Sequence, residues 1–342
     1  MTRRRDPAIT TLASLRAHLQ VAMQVEHATI PPYFTAWVSI PAGINREAAA
    51  IIRSVMLEEM LHLTQAANLL NAVGGRPRLT GRDFVPRYPH RLPHSGNTFE
   101  VSVERLSPAA LRTFLEIEKP ERKGARPEPG HFHTLGQFYE SIAQALDALC
   151  ERLGEARVFC GDPARQVQPA QYYGSGALVV VTDRASAHRA IAEIVEQGEG
   201  SPGHIFDGDR RILGDGEGEE VAHYYRFLEL LEGRSFTRRD TPSSGPTGAR
   251  IPVDFKAMYP LRPNAHASHY PRGSAHRAAL QRFAASYREL LAALDRSFNG
   301  APESFTEAIA RMFSLHQQAV ALAQTPSGDG KTTLGLDFGG RS

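Results

Sequence analysis

The chain has 342 residues, 42% of them hydrophobic and 22% charged, with a formal net charge of +2. Those proportions describe a globular protein able to bury a sizeable core, and so balanced a charge argues against nucleic acid or an anionic membrane as the main partner. No window approaches the roughly 20 apolar residues of a membrane helix, the basic "TRRR" start has no apolar stretch behind it, and Cys150 and Cys160 make no disulfide framework, so a cytoplasmic setting is expected.

Residues 11–30 read as a helix, with Leu12, Leu15, Leu19, Ala22 and Glu26 on one stripe. Pro31 and Pro32 in "IPPYF" are expected to end or kink it. A second helix runs from about Arg46 to Ala72, stopped by "VGG" and Pro77, and is close enough to pack antiparallel to the first. From Arg76 to about His133, prolines at 77, 86, 89 and 93 break any regular pattern, and "FEVSVE" reads as a short strand. "HTLGQFYESIAQALDALCERL" is a third helix, with Leu135, Phe138, Ile142, Ala145 and Leu149 on its apolar face. "GALVVVTD" reads as a second short strand and "SAHRAIAEIVEQGEG" as a fourth helix stopped by glycine. A Gly/Asp-rich loop precedes "EEVAHYYRFLELLEG", again helical, and helices near Leu280–Leu294 and Phe305–Leu322 close the chain. The expected fold is mainly α: one domain over 1–342, with a bundle core at about 10–235 and a C-terminal helical extension at about 275–325.

The second helix carries the chemistry. Ile52, Val55, Glu59, His62, Ala66 and Leu69 recur at three- and four-residue steps, so Glu59 and His62 sit in the middle of an inward stripe. An ionised carboxylate in a core costs several kcal/mol unless it is paired or bound to a cation. A lone Glu-x-x-His is accounted for by a structural hydrogen-bonded pair. Glu26, on the stripe of the first helix, brings a second acid into the same core, and a divalent cation would offset their repulsion. Four-helix carboxylate proteins of the di-iron and di-manganese type draw one Glu from each of two helices and a Glu-x-x-His from each of the others. "EEVAH" offers the second such motif, Glu220 with His223, while the third helix offers Glu140 and the fourth Glu196 and Glu199. Glu140 lies nearly opposite Phe138 and Ile142, and Glu196 and Glu199 lie off the Ile191–Ile194 face, so burying them requires cover from two sides.

Other motifs carry less. "SGDGKTT" lacks the first glycine of a phosphate loop and follows a helix instead of a strand. His131 and His133 in "HFH", with His204, His266 and His269, fall in loops; the "HFH" pair offers an alternative metal site. Tyr33, Trp37, Tyr139, Tyr224 and Tyr225 flank the acidic stripes and read as core aromatics, except Tyr139 and Tyr224, which are taken as catalytic candidates.

"VEHATIPPYF", "EEMLHLTQAANLLNAVGG", "VPRYPHRLPH", "LGQFYESI", "VEQGEG", "AHYYRFLEL" and the C-terminal "MYPLRPNAHASHYPRGS" together resemble the ferritin-like domain of iminophenyl-pyruvate dimer synthases, whose members include bisindole-forming synthases. The resemblance implies a ferritin-like bundle with inward Glu and His ligands and a role in specialised metabolism. On family pattern Glu199 is the ligand, on bare spacing Glu220, and Gln137 stands where relatives carry Glu. The named synthases are longer, so their dimerisation reaction does not transfer with the domain. The combined expectation is a non-haem oxidase or oxygenase. Glu26, Glu59, His62, Glu140, His223 and one of Glu199 or Glu220 would hold two metals, iron first and manganese second. Its expected partners are O2 and a small aromatic or amino-acid-derived substrate, roofed by the connections including the loop from Gly200 to Gly218, with homodimerisation open. The rival readings are a metal-binding or storage protein, a bundle that has lost its metal and moves protons, and the bundle subunit of a larger synthase.

Overall fold

The computed structural model describes residues 9–340 except 82, 94, 97–98, 121–131, 173, 175, 201–203 and 211–218. Thr11 and Ser14 form a capping box at the start of α1 (Leu12–Val38), which runs unbroken through Pro31 and Pro32. The expected stop does not occur. Pro32 has no N–H for the Ala28 carbonyl, and the Tyr88 hydroxyl donates to that carbonyl instead, at 2.9 Å. α2 (Arg46–Ala72) has the expected bounds.

The proline-rich connection holds an unexpected helix, α3 (Pro108–Ile117), capped by Ser107 with Pro108 in its first turn. Thr134 and Gln137 box the start of α4 (Leu135–Leu153), which α5 (Glu155–Val158) extends by a single turn. Asp183 and Ser186 box α6 (Arg184–Glu199), and Gly200 ends it at φ +84. β1 (Phe206–Arg210) and β2 (Glu219–Val221) then pair antiparallel. α7 (His223–Glu232), α8 (Ala275–Phe298) and α9 (Phe305–Ala323) complete the chain.

Among the described residues neither expected strand joins a sheet. Residues 99–104 make only an isolated bridge, Val101 to His90. Residues 177–182 are extended, but side-chain amides serve their backbone. Gln65 bonds Ala177 and Val179, Asn68 bonds Val179 and Gln166 bonds Val181. An alternating apolar run needs no strand partner when buried amides supply the missing donors and acceptors. "EEV", expected as the first turn of a helix, is instead β2, and α7 starts only at His223.

α1 packs along α2 and α4 along α6, and contacts of α1 with α4 and α2 with α6 close a four-helix bundle. α3 pairs with α7, which also touches α2 and α6, while the α8–α9 hairpin lies against α1 and α2. One hydrophobic core extends from Ile9 to Phe338, and a small second one gathers Ile205, Val221, Ala222, Tyr225 and Phe236 around the two strands. Among the described residues, no helix is long and apolar enough to cross a membrane.

Candidate metal centre

Inside the bundle α1 presents Glu26, Thr29 and Tyr33, and α2 presents Glu58, Glu59 and His62, all buried. α3 ends at Glu118, its C-cap, and α7 begins at His223; both are buried as well. Glu59, His62 and His223 each bring a ligand atom within 4.8 Å of the others. The two imidazole rings stack with centroids 5.3 Å apart.

The hydrogen bonds follow one pattern. Glu26, Glu59 and Glu118 each have one oxygen held by a hydroxyl and the other turned toward an imidazole Nδ1. Tyr139 donates to Glu26 Oε1 at 2.6 Å, while Glu26 Oε2 lies 3.5 Å from His62 Nδ1. Thr29 donates to Glu59 Oε2 at 2.6 Å, while Glu59 Oε1 lies 3.7 Å from His62 Nδ1 and 2.9 Å from His223 Nδ1. Tyr33 donates to Glu118 Oε1, while Glu118 Oε2 lies 3.6 Å from His223 Nδ1. Glu26 Oε2 and His223 Nδ1 are fully buried, yet neither makes an aligned hydrogen bond.

The far nitrogens of the imidazoles fix their tautomers. His62 Nε2 is 2.8 Å from Gln197 Oε1, and the Gln197 amide is oriented by donating to Glu193 and Asp209. His223 Nε2 is 2.9 Å from Glu58 Oε2, a carboxylate that Arg226 also grips at 2.9 Å. With both Nε2–H groups donating to these acceptors, the two Nδ1 atoms face three carboxylate oxygens, where either a proton on Nδ1 or a bound cation balances the charge.

That arrangement suits a cation. Without one, burial and the neighbouring Glu118 push the Glu59 carboxyl up to about 7. Burial would lower His62, but Glu26 and Glu59 outweigh it and raise the imidazole. His223 rises well above its ordinary value in the same way, with Glu118, Glu58 and Glu59 overcoming burial. Burial first, then Glu118 beside Tyr33 and Glu26 beside Tyr139, hold both phenols protonated as donors. Protons here do the charge balancing that a divalent ion would do better, and two imidazoles with three carboxylates form a donor set for Fe(II) or Mn(II). The residues fit the metal that the sequence implies.

A second buried network sits behind His223. Arg226 binds Glu58, Asp207 at 2.8 Å and Glu220 at 3.2 Å, and donates to Ser54 at 3.0 Å. Burial works against the Glu58 carboxylate, but Arg226 and His223 hold it well below the usual range. Burial raises Asp207 to about 6 despite Arg226.

Several sequence expectations are corrected here. Glu140 points outward, exposed, and accepts from Gln144 one turn along α4; its helix buries the opposite side around Phe138 and Ile142. Glu220 lies on β2, out of helical register with His223, and pairs with Arg226. Tyr224 is half-buried and packs edge-on against Tyr225 beside the second core, away from the carboxylates. Glu199 is buried at the last turn of α6, where Oε1 accepts the Gly136 amide at 2.7 Å. Glu196 is half-buried. Gln137 serves the cap of α4. His133 and His204 are exposed; His131 and most of the loop expected to roof the site lie outside the described residues. In "SGDGKTT", Asp329 accepts the Lys331 and Thr332 amides in a local turn.

Glu58, Glu118 and Arg226 are absent from the expected set, and Tyr33, expected as a core aromatic, donates to Glu118. Glu58 stands beside Glu59 in "EEMLH", and Arg226 falls three residues after His223, on the same side of α7. Glu118 has no periodic neighbour, and only the turn after α3 brings it in.

A family model described as Ferritin-like matches residues 19–232, the span that contains every residue of this centre. A crystal structure of a ferritin-like protein from Caulobacter vibrioides superposes with a TM-score of 0.66 at 20% identity, covering 97% of this chain and all of that one. Unconventional myosin-XIX of Mus musculus is 25% identical over 175 residues, which is 50% of this chain but only 16% of that protein's length.

Proposed function

Because the chain belongs to the ferritin-like family, we propose that it is a non-haem oxidoreductase that holds two divalent metal ions, iron first, between His62 and His223. The observation that carries this reading is the convergence of two imidazole Nδ1 atoms on three carboxylate oxygens, with Glu26 Oε2 and His223 Nδ1 buried and in no aligned hydrogen bond. Glu26, Glu59 and His62 on one side and Glu118 and His223 on the other would hold the metal. Glu199, buried two residues beyond Gln197, is the remaining acid proposed to join them. Bound iron would supply redox and Lewis-acid chemistry for oxidising a small organic substrate with O2.

The chain's own residues then have definite tasks. Tyr139, Thr29 and Tyr33 fix the carboxylates on one oxygen each, so the other keeps its direction. Gln197 and Glu58 do the same for the imidazoles. Burial of the whole set excludes water from the charged oxygens. The proposed substrate, a small aromatic or amino-acid-derived molecule, and kinship with the iminophenyl-pyruvate dimer synthases rest on the sequence motifs quoted above.

Anaerobic Fe(II) reconstitution followed by metal analysis tests the metal, and substrate-dependent O2 uptake tests the reaction. About two equivalents of iron are expected. Less than one equivalent sinks the reading. Iron that binds and oxidises at the same rate with and without every aromatic acid tried would favour storage over catalysis.

A further inference from the structure

The face of α1 and α2 turned away from the imidazoles lines a cavity of opposite character. It lies between these helices and the α8–α9 hairpin, holds ≈ 530 Å³, and is walled by side chains such as Met56, Leu57, Met60, Leu290, Ile309 and Met312. That volume falls inside the ~300–1,000 Å³ range of small-molecule sites. Among the described residues no Asp or Glu lines it, and Arg53 is its one permanent charge.

Arg53 is placed as a receptor for an anion. Its guanidinium sits 5.7 Å over the Trp37 ring, which stacks on His316 with centroids 4.1 Å apart. Burial, with Arg53 nearby, lowers the His316 pKa, so the imidazole offers a neutral donor beside the guanidinium. Among the described residues Arg53 has no carboxylate partner. His27 also lines the cavity; it is buried, with Nε2 2.7 Å from the Tyr287 hydroxyl and Nδ1 without a hydrogen-bond partner. Phe313, 64% exposed, stands at the rim.

We infer that this cavity binds a medium- or long-chain fatty acid, its alkyl chain among the leucines and methionines and its carboxylate at Arg53. An apolar wall without acids and with a single unpaired cation complements a single negative charge on a long apolar body. The flexible methionines adapt to a flexible chain. The site is separate from the metal centre, so binding is expected with metal-free and metal-loaded protein alike.

Trp37 is the only tryptophan, so its fluorescence reports this cavity directly. Dodecanoate titrated into the full chain should change that fluorescence to saturation at one molecule per chain, with calorimetry giving the same stoichiometry. Dodecan-1-ol should bind about tenfold more weakly, the scale of one charge-assisted contact. Arg53→Ala, with helical content checked by circular dichroism, should bring dodecanoate down to the level of the alcohol, and Ile309→Trp should abolish calorimetric binding of both. Lack of saturable binding overturns the inference. So does equal affinity for acid and alcohol in the native protein, a comparison that needs no variant. A dimer formed through this face that excludes dodecanoate would overturn it as well.

Discussion

The two imidazoles of the centre make similar contacts in front and different ones behind. His62 rests on the neutral amide of Gln197, within a bundle of regular helices. His223 rests on the charged carboxylate of Glu58, which an arginine binds together with two further acids. A carboxylate behind an imidazole raises its basicity and strengthens it as a ligand, whereas an amide mainly orients it. The difference teaches that one half of the centre is held by helix geometry and the other by buried charge. Damage to the two halves should therefore look different.

The largest effect is expected from the charged half. Arg226→Met leaves Glu58, Asp207 and Glu220 buried without their cation and should cost ~3–5 kcal/mol of stability. An unchanged urea midpoint would show that the network is dispensable. Metal stoichiometry comes next. Glu59→Gln alters the one carboxylate that faces both imidazoles and should lower bound iron at both places, whereas His62→Ala and His223→Ala should each lose about one of two equivalents. Equal loss in all three would make the halves a single unit.

Acidity separates metal-free from loaded protein. The Glu59 pKa is raised from 4.5 to about 7 in the fold, so the unfolded chain ionises first and this group's contribution to stability falls as pH rises between those values. His62 and His223 are also raised, so their contributions are present below 6.5 and are lost as pH climbs through their folded values. Melting temperature of the stripped protein should decline from about pH 6.5 to pH 8, above the range in which buried His27, lowered to about 3, adds stability as pH rises, and bound metal should flatten that decline. A stripped protein whose melting temperature rises over this range contradicts the charge assignment. Gln197→Ala should then weaken metal binding at the His62 half by ~10–100-fold with the stoichiometry kept. Glu140→Gln, on the exposed side of α4, should move neither metal content nor stability beyond ~0.5 kcal/mol.

The same division marks what could be read from sequence. Glu26, Glu59 and His62 lie on long helices whose apolar period announces an inward face, so their convergence is legible in the sequence. His223 was legible only as half of a Glu-x-x-His whose Glu220 turned out to sit on a strand. The charged half is assembled from the end of a short helix, a two-stranded hairpin and the first turn of α7, and no periodicity connects Glu118 or Asp207 to it. Helix ends were readable where Thr11, Thr134 and Asp183 cap them, but Pro31 and Pro32 misled because a hydroxyl from Tyr88 repairs the break. The extended segment at 177–182 misled for the same reason: a tertiary partner, far along the chain, replaced the local one.

Anomalous diffraction at the iron edge from crystals loaded anaerobically with Fe(II) tests the central claim most directly. Two peaks are expected in the space enclosed by the Nδ1 atoms of His62 and His223, the free oxygens of Glu26 and Glu118, and Glu59 between them. No peak there, or density confined to surface histidines, would contradict the assignment.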